Sequence, residues 1–365
     1  MAGIPVRVDW TVLVIGGLLA ISLATGVLPD LAPGFHDLAY WGAALALTGA
    51  FFGSLLGHEL CHSVVARGVG IEVRDITLWL FGGVAAIEGE PKRPRDELLI
   101  SLAGPAASFT FALASLVIAI ALDSIGGSPL LVASAVWLAT VNVVLAVFNL
   151  APAAPLDGGR VLRAFLWHRR GDRTSAAISA ARAGRVFAWV LIVTGVAEVL
   201  FGLPSGLWLV LLGWFLLSAA GAEETQVTVA RDLRDVRVAD VMTRDPVTIE
   251  ADRTVADAIV DLLDRRFSTF PVTGRDGDLV GLVTLAGLKS VPPERRSWTP
   301  ISDAAWPVDR LTIASPDEPL LAVLARLDDG GDGRVLVLRE GRLVGIVSPS
   351  DVARAVRLAE LERAA

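Results

Sequence analysis

The stretch Gly57-His58-Glu59-Leu60-Cys61-His62 lies near the end of the apolar run from Leu38 to Ala66. On a helix, positions i and i+4 share one face, so both imidazoles can bind one zinc ion with Glu59 beside the metal. Zinc lowers the pKa of a bound water to about 7, and Glu59 can take its proton. Ionisable residues are costly inside a membrane span, which favours a metal site over a chance pattern on a soluble helix. Cys61 is interpreted as a packing residue.

Composition places this run in a membrane protein. The 365 residues are 53% hydrophobic, and their mean hydropathy is +0.60, too apolar for one soluble fold. The single cysteine excludes an intrachain disulfide, and the net charge of −7 without a basic block gives no indication of nucleic acid binding. About 20 apolar residues cross a bilayer, and six stretches qualify or come close: Trp10 to Leu28, Leu38 to Ala66, Leu98 to Leu122, Leu130 to Leu150, Val186 to Phe201 and Leu207 to Ala222.

The loops between these stretches differ in positive charge. Those after the first, third and fifth stretches contain no Lys or Arg, whereas those after the second and fourth contain several. Cytoplasmic loops retain Lys and Arg, so the pattern predicts a multi-pass protein of the cell (plasma) membrane with both termini in the cytosol.

A third zinc ligand is expected from elsewhere in the chain, because catalytic zinc commonly takes three protein ligands. The candidate is Asp157 in the segment from Asn149 to Arg160, where two prolines interrupt a helix and irregular backbone at membrane depth must be buried or line a wet cavity. The alternative is an ordinary Pro-Asp-Gly turn. His168, the competing ligand, lies among charged residues of a predicted cytosolic loop, and His36 lies on the opposite side of the membrane.

These residues together resemble the site-2 protease family of intramembrane metalloproteases. His58-Glu59-Leu60-Cys61-His62 is similar to its HExxH motif, Asn149 to Gly158 to its second signature, and Ser101 to Pro105 to its Ala-Gly-Pro element. The resemblance implies His58, His62 and Asp157 as zinc ligands, Glu59 as general base, and Asn149 as a donor to the substrate or to the oxyanion.

The segment Gly70 to Glu90 is interpreted as short strands with a Gly-Gly break, a small membrane-associated β element in place of a seventh span. A transmembrane helix cannot be cut while its carbonyls are held in helical hydrogen bonds, so an unwound substrate could pair with such a strand edge. A plain cytosolic hairpin is the alternative.

The chain after Glu223 is mixed and charged, and it repeats itself. Thr248-Ile249 recurs as Thr312-Ile313, and Val280-Gly281 recurs as Val344-Gly345 at the same offset. Each copy pairs β-branched strands with an amphipathic helix. The predicted domains are a transmembrane metalloprotease domain at residues 1–222, a linker at 223–235 and two soluble α/β units at 236–290 and 300–357.

The two units resemble a tandem pair of cystathionine-β-synthase (CBS) domains, which commonly bind adenine nucleotides between them. The second copy keeps the ligand signature, so the resemblance implies that Asp351 holds ribose hydroxyls and Ser348 a phosphate. The first copy keeps Thr284, which is therefore also a candidate nucleotide-binding residue, but has Gly287 where the aspartate would be. One nucleotide site is therefore expected, with dimerisation or docking as the alternative role of the pair.

The prediction as a whole is a polytopic α-helical membrane protein that acts as a zinc metalloendopeptidase on single-span membrane proteins of the anti-sigma factor or membrane-bound transcription factor type. A homodimer through the CBS pair is also expected. The alternatives are a CBS-gated metal ion or proton transporter, which would need more ionisable residues in its spans, and an inactive scaffold, which should have lost Glu59 or a ligand.

Overall fold

The structure is a computed structural model that describes residues 4–79, 82–265, 268–327 and 333–364. The chain divides into two compact units, Met1–Val227 and Thr228–Ala365. Each unit is described by itself below.

The first unit is built from long apolar helices. Six helical segments of the described residues are long and apolar enough to cross a membrane, as the hydropathy pattern predicted. The first segment contains a π-helical turn at Leu23–Val27. The helices are α1 Thr11–Ser22, α2 Leu28–Leu31, α3 Asp37–Gly68, α4 Pro94–Ser124, α5 Pro129–Asn149, α6 Asp157–Arg170, α7 Arg173–Leu200 and α8 Ser205–Asp232.

Small residues line the contacts between these helices. The buried positions of α4 and α5 include Ala107, Ala112, Ala139 and Ala146, whereas large apolar side chains such as Leu113 remain exposed. Close packing through small residues, with bulky apolar groups facing outward, is typical of helices in lipid. The first unit is therefore the membrane part of a multi-pass protein.

A small sheet accompanies the helices. Its strands, in the order β1-β2-β3, are β1 Val6–Val8, β2 Glu72–Trp79 and β3 Gly82–Glu88. β1 pairs with β2 in parallel, a partner that the sequence did not indicate, and β2 pairs with β3 antiparallel. Leu80 and Phe81 lie outside the described residues. Gly82 and Gly83 begin β3 instead of breaking the pattern between two strands.

The segment predicted as a linker begins inside a helix. α8 continues through the polar residues after Ala222 and ends only at Asp232. Glu223 pairs with Arg163 and Glu224 with Arg185, so the charged residues that suggested a linker hold α8 against α6 and α7.

The second unit consists of two four-stranded sheets with short helices, ordered β4-β11-β10-β9 and β5-β6-β7-β8. Its elements are α9 Val238–Val241, β4 Thr243–Arg244, β5 Ile249–Glu250, α10 Val255–Arg265, β6 Thr269–Thr273, β7 Leu279–Thr284, α11 Leu285–Ser290, β8 Trp306–Pro307, β9 Thr312–Ala314, α12 Leu320–Leu324, β10 Val335–Arg339, β11 Arg342–Val347 and α13 Pro349–Ala364.

The two sheets carry the internal repeat. Ile249 pairs with Val272 in the first sheet, and Ile313 pairs with Leu336 at the equivalent positions of the second. The first strand of each repeat joins the sheet of the other, because β4 pairs with β11 and β8 pairs with β7. This exchange places residues of both repeats around the space between the sheets.

Candidate metal centre

Helix α3 and the start of α6 bring three predicted ligands together. His58 and His62 lie one turn apart on α3, and both are buried. Asp157 is the first residue of α6, directly after the irregular segment that follows α5. Its Oδ2 lies 3.1 Å from Nε2 of His58 and 3.2 Å from Nε2 of His62. One ligand atom from each residue lies within 4.8 Å of the others.

The donor set fits zinc. Two imidazole nitrogens and one carboxylate oxygen are ligands that Zn²⁺ accepts, and three protein ligands leave a fourth position open for chemistry. Asp157 supplies the anionic ligand of this set, and its Oδ2 lies within 3.2 Å of both Nε2 atoms.

Gly104 of α4 has no side chain, and the two imidazoles occupy the space where a side chain would lie. A Cβ at this position would lie 2.2 Å from Nε2 of His62 and 2.4 Å from Nε2 of His58. The glycine of the Ala-Gly-Pro element therefore lets the α4 backbone approach the centre. The resemblance noted this element, but its contact with the imidazoles depends on packing between α3 and α4.

Two groups on α4 orient the histidine rings. The carbonyl oxygen of Ile100 lies 2.6 Å from Nδ1 of His62, and because a carbonyl can only accept, that nitrogen carries the proton and Nε2 is free to bind a metal. The Ser108 hydroxyl lies 2.8 Å from Nδ1 of His58 and is fully buried. Such partners commonly fix the tautomer and orientation of a metal-binding histidine. Sequence reasoning missed Ser108, although its position one turn after Gly104 was a usable signal.

Glu59 lies between the two histidines and against strand β3. A Cβ on Gly83 would be 2.3 Å from Cγ of Glu59. The start of β3 therefore passes directly over the Glu59 side chain, and only a glycine fits there without displacement.

The structure also places four other polar residues of this unit: Asn149, His168, Cys61 and Glu198. Asn149 ends α5, and its amide donates to the Leu145 carbonyl at 3.0 Å. His168 is exposed in the last turn of α6. Cys61 is half-buried. Near the end of α7, Glu198 accepts a hydrogen bond from Ser205 at 3.0 Å.

In the second unit, Ser348 and Asp351 line one cavity of about 340 Å³. Ser348 donates to Asp351 at 2.5 Å, and Arg354 also donates to this buried aspartate at 2.8 Å. The lining includes residues of both repeats and two arginines: Thr243, Pro246, Val247, Ser268, Thr269, Pro271, Arg334, Ile346, Ser348, Ser350, Asp351 and Arg354.

Thr284 does not line this cavity. Its hydroxyl accepts from the backbone N–H of Gly287 at 3.2 Å and so caps α11. A Cβ on Gly287 would lie 2.4 Å from the Ala304 carbonyl oxygen, so the first repeat has no room for the aspartate that the second repeat carries.

Comparison with known proteins matches both units. The model of peptidase family M50 matches residues 46–126 and 129–193, and the CBS domain model matches 238–293 and 301–358. Rip3 of Mycobacterium tuberculosis, whose name assigns it to the zinc metalloproteases, is 46% identical over 368 residues, which cover 99% of this chain and 93% of the relative.

An archaeal relative and a solved archaeal structure are also similar. The zinc metalloprotease MJ0392 of Methanocaldococcus jannaschii is 31% identical over 329 residues, 90% of this chain and 88% of the relative. The solved structure of the site-2 protease from Methanocaldococcus jannaschii is 29% identical, with a TM-score of 0.42 over 61% of this chain and 92% of that one.

Proposed function

The chain belongs to peptidase family M50, the site-2 proteases, and we propose that this zinc metalloprotease hydrolyses peptide bonds in or near the transmembrane segments of membrane-tethered regulatory proteins. The observation that carries the proposal is the convergence of the His58, His62 and Asp157 ligand atoms within 4.8 Å, inside a unit with six candidate membrane spans. A hydrolytic metal site at this place requires a substrate that reaches the membrane domain.

Each residue then has a defined role. His58, His62 and Asp157 would hold one Zn²⁺, which when bound supplies a Lewis acid and lowers the pKa of water to about 7. Glu59 accepts the proton of the attacking water and delivers it to the departing amine. Asn149 donates to the substrate carbonyl as negative charge develops on it, which requires its amide to release the Leu145 carbonyl.

Strand β3 offers a place for an unwound substrate. β3 stands at the end of its sheet, so one of its edges pairs with no other strand among the described residues. An extended segment added to this edge would run beside Glu59, because Gly83 of β3 lies against that side chain. Substrate backbone groups would thereby exchange helical hydrogen bonds for strand pairing close to the general base.

The C-terminal pair is proposed to sense an adenine nucleotide on the cytosolic side. The cavity that contains Ser348 and Asp351 also contains Arg334 and Arg354, which suit a phosphate beside a ribose. The loop charges support the cytosolic placement of this unit and of both termini. A homodimer through the CBS pair is part of the same proposal.

The test is co-expression of the full chain with tagged single-span proteins of the anti-sigma factor and membrane-bound transcription factor types. Wild-type protein should release a fragment that Glu59→Gln does not release. Cys61→Ala, a half-buried neighbour on the same turn, is the matched control and should cleave normally. A fragment that persists with Glu59→Gln would contradict the protease assignment.

A further inference from the structure

A group of charged side chains lies where helices α4, α6, α7 and α8 of the first unit meet. Glu97, in the first turn of α4, is only 2% exposed. Arg163 of α6 contacts one oxygen of this carboxylate. A carboxylate buried to this degree is costly unless it is paired, so Arg163 is a main partner that keeps Glu97 in the interior.

Arg163 also reaches a third helix. Its Nη1 lies 3.3 Å from Oε1 of Glu223 on α8. One guanidinium therefore joins carboxylates from two other helices, which its planar fork of donors permits. We call Glu97, Arg163 and Glu223 the charge array.

The second oxygen of Glu97 is held less closely. Oε2 lies 4.0 Å from Nε of Arg173, at the start of α7, and within the described part of the chain these two buried atoms have no hydrogen-bond partner. Arg173 contacts Glu90 instead. Arg163 is thus the closer of the two cations that face Glu97, and Arg173 is the more distant one.

Helix α6 carries both Asp157 and Arg163. It begins at Asp157, directly after an irregular segment with two prolines that does not continue α5. Arg163 lies six residues along the same helix, about 9 Å at 1.5 Å per residue. Metal ligands must be held to within about 0.5 Å of a productive geometry. α6 packs against α4 and α7, and the ion pairs of Arg163 add a fixed connection to Glu97 on α4 and to Glu223 on α8.

We propose that the charge array positions Asp157 for metal binding and makes that position depend on helix α8. This inference rests on the proposed function, in which Asp157 is a metal ligand. α8 runs to Asp232, past residue 227 where the chain divides into its two units. A movement of α8 along its axis would displace Glu223 and, through the ion pair, Arg163. Because Arg163 and Asp157 lie on the same helix, Asp157 would then move as well.

The experiment measures zinc affinity of the purified full chain in detergent by competition with a chromophoric chelator. Arg163→Lys keeps the positive charge but cannot join both carboxylates, and it should lower zinc affinity about tenfold, as loss of a supporting residue commonly does. Glu223→Gln should lower it by about threefold, because Glu97 still holds Arg163.

Glu224→Gln is the matched control. Glu224 is the next residue of α8 and forms the same kind of ion pair, but with Arg182 and Arg185 of α7. Its zinc affinity should stay within about twofold of wild type, since surface pairs of this kind contribute little. Thermal unfolding and the elution volume in size-exclusion chromatography are recorded for every variant. Zinc affinities are then compared only between variants that are folded to the same extent.

A double-mutant cycle separates positioning from general support. Because the array acts through Asp157, Arg163→Lys should add nothing to the zinc loss of Asp157→Asn. The charge-array proposal would be overturned if the losses of zinc affinity in Arg163→Lys and Asp157→Asn were additive. It would also be overturned if Glu224→Gln lowered zinc affinity as much as Glu223→Gln. If Asp157→Asn binds zinc with wild-type affinity, the proposed ligand set is wrong as well. If Asp157→Asn loses zinc affinity but Arg163→Lys keeps it, only the charge array is wrong.

Discussion

At the residue scale, Gly104 and Ser108 decide how the two imidazoles face the centre. Both lie on α4, and neither offers a metal ligand in the described structure: Gly104 provides space and Ser108 holds a ring nitrogen. Their effects are therefore expected in zinc binding itself.

Gly104→Ala should abolish zinc binding. Alanine in place of glycine at a compatible site usually stabilises a protein by about 0.4–1 kcal/mol, but here the added Cβ would overlap the Nε2 atoms of His58 and His62. Metal analysis of the purified protein should find little zinc. The control is Gly49→Ala on α3, where the added Cβ meets no atom within 4 Å. Full zinc content in Gly104→Ala would contradict the close approach of α4.

Ser108→Ala should lower zinc affinity about tenfold, because the His58 ring loses the partner that fixes its orientation. Chelator competition is the measurement. Ser134→Ala is the control, since Ser134 is also a buried serine of a membrane helix but donates to Leu130 of its own helix at 2.7 Å. Equal losses in the two variants would show that Ser108 acts only through packing.

At the scale of elements, the contact between β3 and α3 should affect catalysis but not metal binding. Gly83→Ala should push the Glu59 side chain, because the added Cβ would lie 2.3 Å from its Cγ. We expect kcat to fall at least about tenfold, because a misplaced general base transfers protons less efficiently. Zinc content should stay normal. The control is Gly42→Ala on α3, a position with open space.

The outcome distinguishes the roles of two glycines that contact different residues of α3. Gly104→Ala is expected to remove zinc, and Gly83→Ala is expected to leave zinc in place while slowing cleavage. Zinc loss in Gly83→Ala would indicate that β3 supports the ligands rather than Glu59.

At the scale of the whole molecule, one nucleotide site is expected in the second unit. Asp351→Asn should weaken binding of AMP, ADP or ATP by at least about tenfold, equal to about 1.4 kcal/mol, in calorimetric titration of the full chain. Thr284→Ala should bind like wild type, because Thr284 caps α11 away from the cavity. Binding that is unaffected by Asp351→Asn would favour dimerisation or docking as the role of the pair.

The orientation of the chain is testable with introduced cysteines in a Cys61→Ala background. Ser124→Cys lies at the end of α4 beside a loop without Lys or Arg, and Ser290→Cys lies in the second unit; both positions are exposed. An impermeant maleimide should label Ser124→Cys in intact cells and Ser290→Cys only after lysis. The reverse pattern would contradict the orientation inferred from the loop charges.

Features that depend on local spacing could be predicted from the amino-acid sequence. Apolar length set the six spans, the i, i+4 spacing placed His58 and His62 on one helical face, and the constant offset between the two copies identified the repeat. The proline-interrupted segment after the fourth span indicated Asp157 as the third ligand, and family resemblance supported this assignment and added the CBS pair.

Which distant residues meet became known from the packing of the elements in three dimensions. The approach of Gly104 to the imidazoles, the passage of Gly83 over Glu59, the pairing of Arg163 with Glu97 and Glu223, and the exchange of β4 and β8 between sheets all join residues from different elements. The physical reason is that local periodicity specifies which face of a helix or strand is apolar, whereas the partner of that face follows from how all elements pack together at close range.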